Sequence, residues 1–128
     1  MVSKITRGIK IIVKVKYVKQ SLHLNNLVNF FNYEISIQNQ GNDVVQLLRR
    51  CWVIKDSLNG VETVDGEGVI GKKPIVNPNE TFQYTSGAYI LGFIGSMQGY
   101  FTFVNFSNSQ IFHVKIPLFN MSVPYIFN

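Results

Sequence analysis

A chain of 128 residues with 46% apolar side chains, including ten Phe and six Tyr, has the material for one sizeable core and is short for two. Its net charge of +5, twelve basic against seven acidic residues, favours solubility and weak attraction to acidic partners without defining a nucleic-acid binder. One cysteine excludes an internal disulfide, and no run approaches the roughly 18 apolar residues that span a bilayer. Lys4, Arg7 and Lys10 interrupt the opening segment where a signal peptide would be apolar, so a cytoplasmic location and no membrane contact are expected.

Lys10 to Val18 alternates, with Ile11, Val13, Val15 and Tyr17 on one side and Lys10, Lys14 and Lys16 on the other, which predicts a strand with one core face. Gln20 to Asn29, containing His23, reads as an irregular connection into a second strand where Phe31, Tyr33, Ile35 and Ile37 alternate with polar residues. Asn39-Gln40-Gly41-Asn42-Asp43 has tight-turn composition, so Val44 to Lys55 is expected to return antiparallel as a long strand. Leu48, Trp52 and Ile54 share a parity there that Arg50 interrupts. A bulge or edge near Arg49-Arg50 would let both guanidinium groups reach water. Asp56 to Gly60 predicts a turn, Val61 to Val64 a short strand, and Gly66 to Gly71 a glycine-rich loop. After the breakers at Pro74 and Pro78, Phe82 and Tyr84 mark a strand over Thr81 to Thr85, followed by a looser, apolar Ser86 to Gly95 segment. Ser96 to Asn105 and Ile111 to Ile116 predict two further strands joined by a turn, with Pro117 stopping the last. The tail from Leu118 carries Phe119, Met121, Tyr125 and Phe127, which are expected to pack on the body or on a second subunit. About seven short strands with turn signals every eight to twelve residues predict an all-β, antiparallel β-sandwich of immunoglobulin-like or fibronectin type III-like build. Residues 1–128 read as a single domain with its core at about 10–119 and a short C-terminal tail.

Gly66-Glu67-Gly68-Val69-Ile70-Gly71 has the G-x-G-x-x-G spacing of a dinucleotide-binding loop. That motif holds a pyrophosphate only when the glycines end a strand and open a helix, whose N-terminus supplies unpaired N–H groups. Here Lys72-Lys73-Pro74 follows, a proline falls inside the first turn or two, and no helical apolar period appears before Phe82. The segment is expected to be a connection between strands. An anion held by turn N–H groups beside Lys72 and Lys73 is the remaining nucleotide-like use of it.

Arg50-Cys51-Trp52-Val53-Ile54-Lys55-Asp56, Val64 to Gly71, Phe82-Gln83-Tyr84-Thr85-Ser86-Gly87, Gly95-Ser96-Met97-Gln98-Gly99-Tyr100 and Ile116-Pro117-Leu118-Phe119 occur in this order, after Tyr33 to Asn39. Together they resemble the ApaG family over about residues 10–119. The resemblance implies a fibronectin type III-like sandwich, found free-standing in bacteria and attached to certain F-box proteins. It also implies an association with cobalt and magnesium tolerance and with the neighbourhood of diadenosine tetraphosphate hydrolysis, with no chemical activity established. Two positions depart from the family pattern: Cys51 stands where His is usual, and Asn79 where Gly is usual. The first weakens any metal or catalytic role built on that His, and the second suits the same turn.

Chemistry has few candidates. His23 and His113 have no close His or Cys at metal spacing and read as surface or packing residues. Cys51 reads as a small buried thiol, and Trp52 as the interior residue over which the sheets close. Asp65 and Glu67 offer a divalent cation two exposed carboxylates, a weak site. The lysines at 10, 14 and 16 and the pair Arg49-Arg50 lack interleaved stacking aromatics, so a solvated face is expected rather than a nucleic-acid surface. The expectation is a noncatalytic protein-interaction module with no catalytic residues, cofactor or metal, possessing a protein partner or forming a homodimer. Its recognition surface would be Gly66, Glu67, Gly68, Gly71, Lys72 and Lys73 with the Ser86 to Gly95 segment. The alternative is a binder or hydrolase of phosphorylated small molecules, such as diadenosine tetraphosphate or pyrophosphate, in which Gly66 to Lys73 forms an anion nest.

Overall fold

The structure, a computed structural model, describes residues 1–124, and among these nine strands form two antiparallel sheets. The strands are β1 (Val2–Thr6), β2 (Ile9–His23), β3 (Asn26–Asn39), β4 (Val45–Asp56), β5 (Gly60–Glu67), β6 (Ile75–Val76), β7 (Thr81–Ile90), β8 (Ile94–Asn105) and β9 (Ile111–Ser122). One sheet has the order β1-β2-β3-β7; the other runs β5-β4-β8-β9, with β6 also on β4. The expected all-β sandwich is therefore the observed architecture. Ile11, Val13, Ile35 and Ile37 of the first sheet meet Leu47, Phe101, Phe103 and Val114 of the second in a fully buried core. Trp52 sits between the sheets as expected, with ring centroids 5.5 Å from Tyr33, 5.9 Å from Phe119 and 6.4 Å from Phe101. Aromatic pairs at these separations add to the area they bury.

Several elements are longer than periodicity suggested. Gln20 to Asn29 is no irregular connection: β2 continues to His23, turns through Leu24 and Asn25 at φ 49° and 66°, and returns as β3. This hairpin overhangs the core, leaving Leu22, Leu24 and Leu27 exposed, so no buried face imposes alternation on it. Val2–Thr6 is likewise a strand, paired with β2. Ser86 to Gly95 is mostly strand, β7 running to Ile90 and β8 beginning at Ile94.

Two connections differ in kind. Asn39 to Asp43 does not fold β4 back on β3; it crosses between sheets, because β3 is flanked by β2 and β7. The buried Asn39 organises the crossing by donating to the carbonyls of Asp43 (2.8 Å) and Val76 (3.0 Å). Nor does Pro117 end the last strand. The register with β8 shifts from Gly99↔Ile116 to Met97↔Phe119, a bulge that absorbs a residue unable to donate to the ladder. Phe119, Met121 and Val123 are consequently buried in the body, while Tyr125 and Phe127 lie outside the described residues.

The bulge foreseen near Arg49-Arg50 falls at Leu48, where the β4–β8 register shifts between Leu47 and Arg49. It reverses the parity of β4: Val45 and Leu47 face inward before it, Trp52 after it. Arg50 thus shares the inward parity of Trp52 and is half-buried, contrary to the expectation that both guanidinium groups reach water; Arg49 is exposed.

Candidate functional site

β5 and β6 pair with the same edge of β4, β5 over Arg49–Asp56 and β6 over Val45–Gln46. The glycine segment is the excursion between them, placed at the Leu48 bulge. The Gly68 N–H donates to the Leu48 carbonyl (2.8 Å) and Leu47 N–H to the Pro74 carbonyl (3.0 Å), fastening both ends. Val69 is buried, and its N–H and carbonyl exchange bonds of 2.8 and 2.9 Å with Lys72. The two residues closing this small hairpin, Ile70 and Gly71, have φ of 44° and 74°. Such a turn needs two left-handed residues, which Gly71 supplies without cost and Ile70 does not. Ile70 nonetheless stands 51% exposed at the tip.

Arg50 holds the excursion from beneath. Its Nη1 donates to the carbonyls of Glu67 (2.8 Å) and Gly68 (2.9 Å), and the guanidinium lies over Gly66, where a Cβ would meet Nη2 at 3.0 Å. Gly66 is directly opposite Arg50 in the ladder, so the glycine makes room for the arginine to arch across β5. Charge-assisted bonds to two carbonyls are stronger than neutral ones. The arrangement is the converse of an anion nest: the N–H groups of Gly68, Val69 and Lys72 are engaged and two carbonyls converge on a cation.

Glu67, Gly71, Lys72 and Lys73 are exposed, whereas Gly68 is buried and Gly66 half-buried within the ladder. Glu67 lies 3.8 Å from Lys73 Nζ and 3.9 Å from Arg49 Nη1, and Asp65 lies 3.4 Å from Arg49 Nη2. These pairs are too exposed to contribute more than about 1 kcal/mol each. They also engage the two carboxylates considered for a divalent cation. Among the described residues no three His, Cys, Asp or Glu groups gather as metal ligands. The Cys51 thiol, expected buried, is half-buried and shares a hydrogen bond with the Tyr100 hydroxyl, which holds the phenol above its ordinary pKa. Tyr100 stacks on the exposed His113 ring at 4.4 Å, while His23 at the end of β2 lies 5.5 Å from the Tyr89 ring.

Sequence reasoning missed a cleft of about 370 Å³ on the open side of the sandwich, bounded by β5 and β7 and floored by Tyr33, Trp52 and Met97. Arg50 lies at it, as does Asp56, whose carboxylate accepts from the N–H groups of Leu91 (2.7 Å) and Gly92 (2.9 Å). Burial raises the pKa values of Tyr33 and Tyr84; a hydrogen bond with Ser86 opposes the rise at Tyr33, the neighbouring Tyr33 reinforces it at Tyr84, and Arg50 opposes both. The one legible signal was Arg50 on the parity of Trp52, a cation on an apolar face. The phenols also set a pH dependence. Below about pH 10 both states keep these protons, whereas above it the unfolded chain ionises first and stability falls. Denaturation midpoints should therefore decline above that pH, and Tyr84→Phe should shallow the decline.

These features define a fibronectin type III-like β-sandwich with a clamped glycine hairpin on one edge. An X-ray structure of a structural-genomics target superposes with a TM-score of 0.86 at 32% identity, covering 91% of this chain and 88% of that one. A Bordetella pertussis protein named ApaA gives 0.82 at 34%, covering 91% and 94%. Residues 19–105 match the ApaG domain family model. A protein named ApaG from Methylobacterium sp. strain 4-46 is 36% identical over 121 residues, 94% of this chain and 92% of that one, and the Sodalis glossinidius ApaG is 46% identical over 99 residues, 77% and 78% of the two. The chain belongs to the ApaG family. Among the described residues no helix is long and apolar enough to cross a membrane.

Proposed function

We propose that this chain is a noncatalytic, cytoplasmic protein-interaction module that recognises a partner through the glycine hairpin, with Ile70, Lys72, Lys73 and Glu67 as the contacting groups. The observation that carries this reading is Ile70, a β-branched residue held at φ 44° and half in solvent. Left-handed backbone costs such a residue about 1–3 kcal/mol, and strain of this kind collects at functional surfaces. An apolar knob beside two lysines and a carboxylate suits a protein surface. On this reading, the family's association with cobalt and magnesium tolerance is exerted through the partner.

Ile70→Asn tests it, because Asn accepts the left-handed region. The variant is expected to be more stable by about 1 kcal/mol in urea denaturation and yet to lose the partners that wild type retains in affinity capture. Retention of the same partners by Ile70→Asn and by the Glu67, Lys72 and Lys73 replacements would retire the hairpin as the interface. Titration with diadenosine tetraphosphate, ATP and pyrophosphate, with and without Mg²⁺ or Co²⁺, is expected to show neither binding nor turnover at millimolar ligand, since the N–H groups of Gly68, Val69 and Lys72 are engaged and two loop carbonyls converge on Arg50. Saturable binding lost with Lys72 and Lys73 would favour the small-molecule alternative.

A further inference from the structure

Sheet edges are ordinarily protected against pairing with another chain by charge, proline, bulges or cover. Along one side of this sandwich β1 and β9 meet, and the Lys115 N–H donates to Thr6 Oγ1 at 3.3 Å. On the other side, β5 carries Glu62, Asp65 and Glu67. The edge strand β7 has no comparable protection. Its ten residues, Thr81 to Ile90, include no charge and no proline, its register with β3 runs without a bulge, and among the described residues β3 is its only ladder partner.

Gly87 is a second, independent feature of this strand. A glycine inside a strand weakens it, and usually marks a bulge, a tight bend or the close approach of another backbone. There is no bulge here and no positive φ at Gly87. A Cβ would meet only Asn32 Oδ1 at 3.5 Å and the Phe31 carbonyl at 3.6 Å, which is ordinary contact. No contact within the single chain demands a glycine here, where the strand lines the cleft facing β5.

We propose that β7 pairs antiparallel with β7 of a second copy of this chain, with Thr85 on the two-fold axis. The proposal rests on the interaction-module reading and adds a second surface to it. An isologous contact requires a strand complementary to itself, and residues directly opposite in an antiparallel pair point to the same face. Centred on Thr85, the register places Ala88 opposite Phe82 and Ser86 opposite Tyr84 on the inward face. On the outward face it places Gly87 opposite Gln83, Thr81 opposite Tyr89 and Thr85 opposite itself. Each large side chain thus meets a small one, the Thr–Thr pair is a favourable one, and no charge is brought against its like within the strand. Centring on Ser86 would instead set Phe82 against Ile90. Of the β5 carboxylates, Asp65 is paired with Arg49 and Glu67 with Arg49 and Lys73, while Glu62 lines the cleft that separates β5 from β7. One edge covers less surface than a permanent interface, so the dimer is expected to be a reversible, micromolar one.

Sedimentation velocity on the whole chain, from low micromolar to several hundred micromolar, is expected to show a monomer–dimer equilibrium. Thr85→Lys sets like charges face to face on the axis from an exposed position, and should give a monomer at every concentration with an unchanged thermal midpoint. Thr63→Lys on the β5 edge should leave the dimer intact. In a Cys51→Ser background, Thr85→Cys should form a disulfide-linked dimer with oxidised glutathione, whereas Ser86→Cys, offset from its own copy in this register, should not. A wild type that stays monomeric throughout, a dimer indifferent to Thr85→Lys, or crosslinking by Ser86→Cys instead of Thr85→Cys overturns the proposal. None of these results depends on Ile70, so pairing and partner recognition can fail separately.

Discussion

Trp52→Ala is expected to remove about 3–5 kcal/mol from the stability of this chain, the usual loss when a large buried aromatic ring is truncated. Domains of this size are stable by only about 5–15 kcal/mol in total, so the variant should be partly unfolded near physiological temperature. The ring touches Tyr33 from one sheet and Phe101 and Phe119 from the other, so its loss opens a cavity between layers that strand backbones cannot close without breaking their ladders. Urea denaturation followed by circular dichroism measures the effect without needing the tryptophan signal. Trp52→Phe should lose clearly less. A loss below about 1 kcal/mol for the alanine variant would mean that the sheets do not close on this ring. Because Trp52 also floors the cleft between β5 and β7, the substitution should enlarge that cleft.

The second large effect is expected at Gly68. Its φ of 62° is left-handed, and a Cβ there would run into the backbone carbonyl of Lys72, which cannot swing aside as a side chain can. Strain and overlap together put Gly68→Ala at about 2–4 kcal/mol. The damage should be concentrated in the excursion: the Val69 and Lys72 amides, which bond each other's carbonyls, should lose hydrogen-exchange protection, while the Ile35 and Phe101 amides keep theirs. Gly71→Asn provides the contrast. That position is also left-handed, at φ 74°, but nothing lies within 4 Å of its Cβ and Asn tolerates the conformation, so a near-neutral change is expected. Equal losses at both positions would show that the Lys72 carbonyl is not what demands glycine at 68.

Trp52 and Gly68 both stand out in the amino-acid sequence, yet for different reasons: one is the lone tryptophan on an apolar parity, the other a member of a spaced glycine set. The alternation of Ile11 with Val13 and of Ile35 with Ile37 follows from a strand having one face in the core, so strand identity and the sandwich class were legible there. Legibility failed where one face is not buried. The Leu22 to Leu27 hairpin overhangs the core and shows no pattern, and along Ser86–Ile90 the inward positions before Ile90 are the small, only half-buried Ser86 and Ala88, too weak an apolar signal to mark a strand. Pro117 looked like a stop because its missing N–H disqualifies it from a regular ladder, whereas a bulge removes that requirement.

For the candidate site, the glycine spacing, the exposed Glu67, Lys72 and Lys73 and the lack of a helix to carry a pyrophosphate could all be read from residue order, since chain-local sterics and hydrogen-bond supply control them. That the Glu67 and Gly68 carbonyls face Arg50, that Gly66 yields space to its guanidinium, and that Arg50 and Tyr33 line the same cleft follow from ladder register and from one extra residue at Leu48. A single bulge inverts every side chain beyond it. Residue order alone specifies most of the strands, the sandwich and the places where the chain must turn, because these depend on near neighbours and on burial of one face. Which way Arg50 points, and which strand edge is left unpaired, were decided only when the two sheets packed.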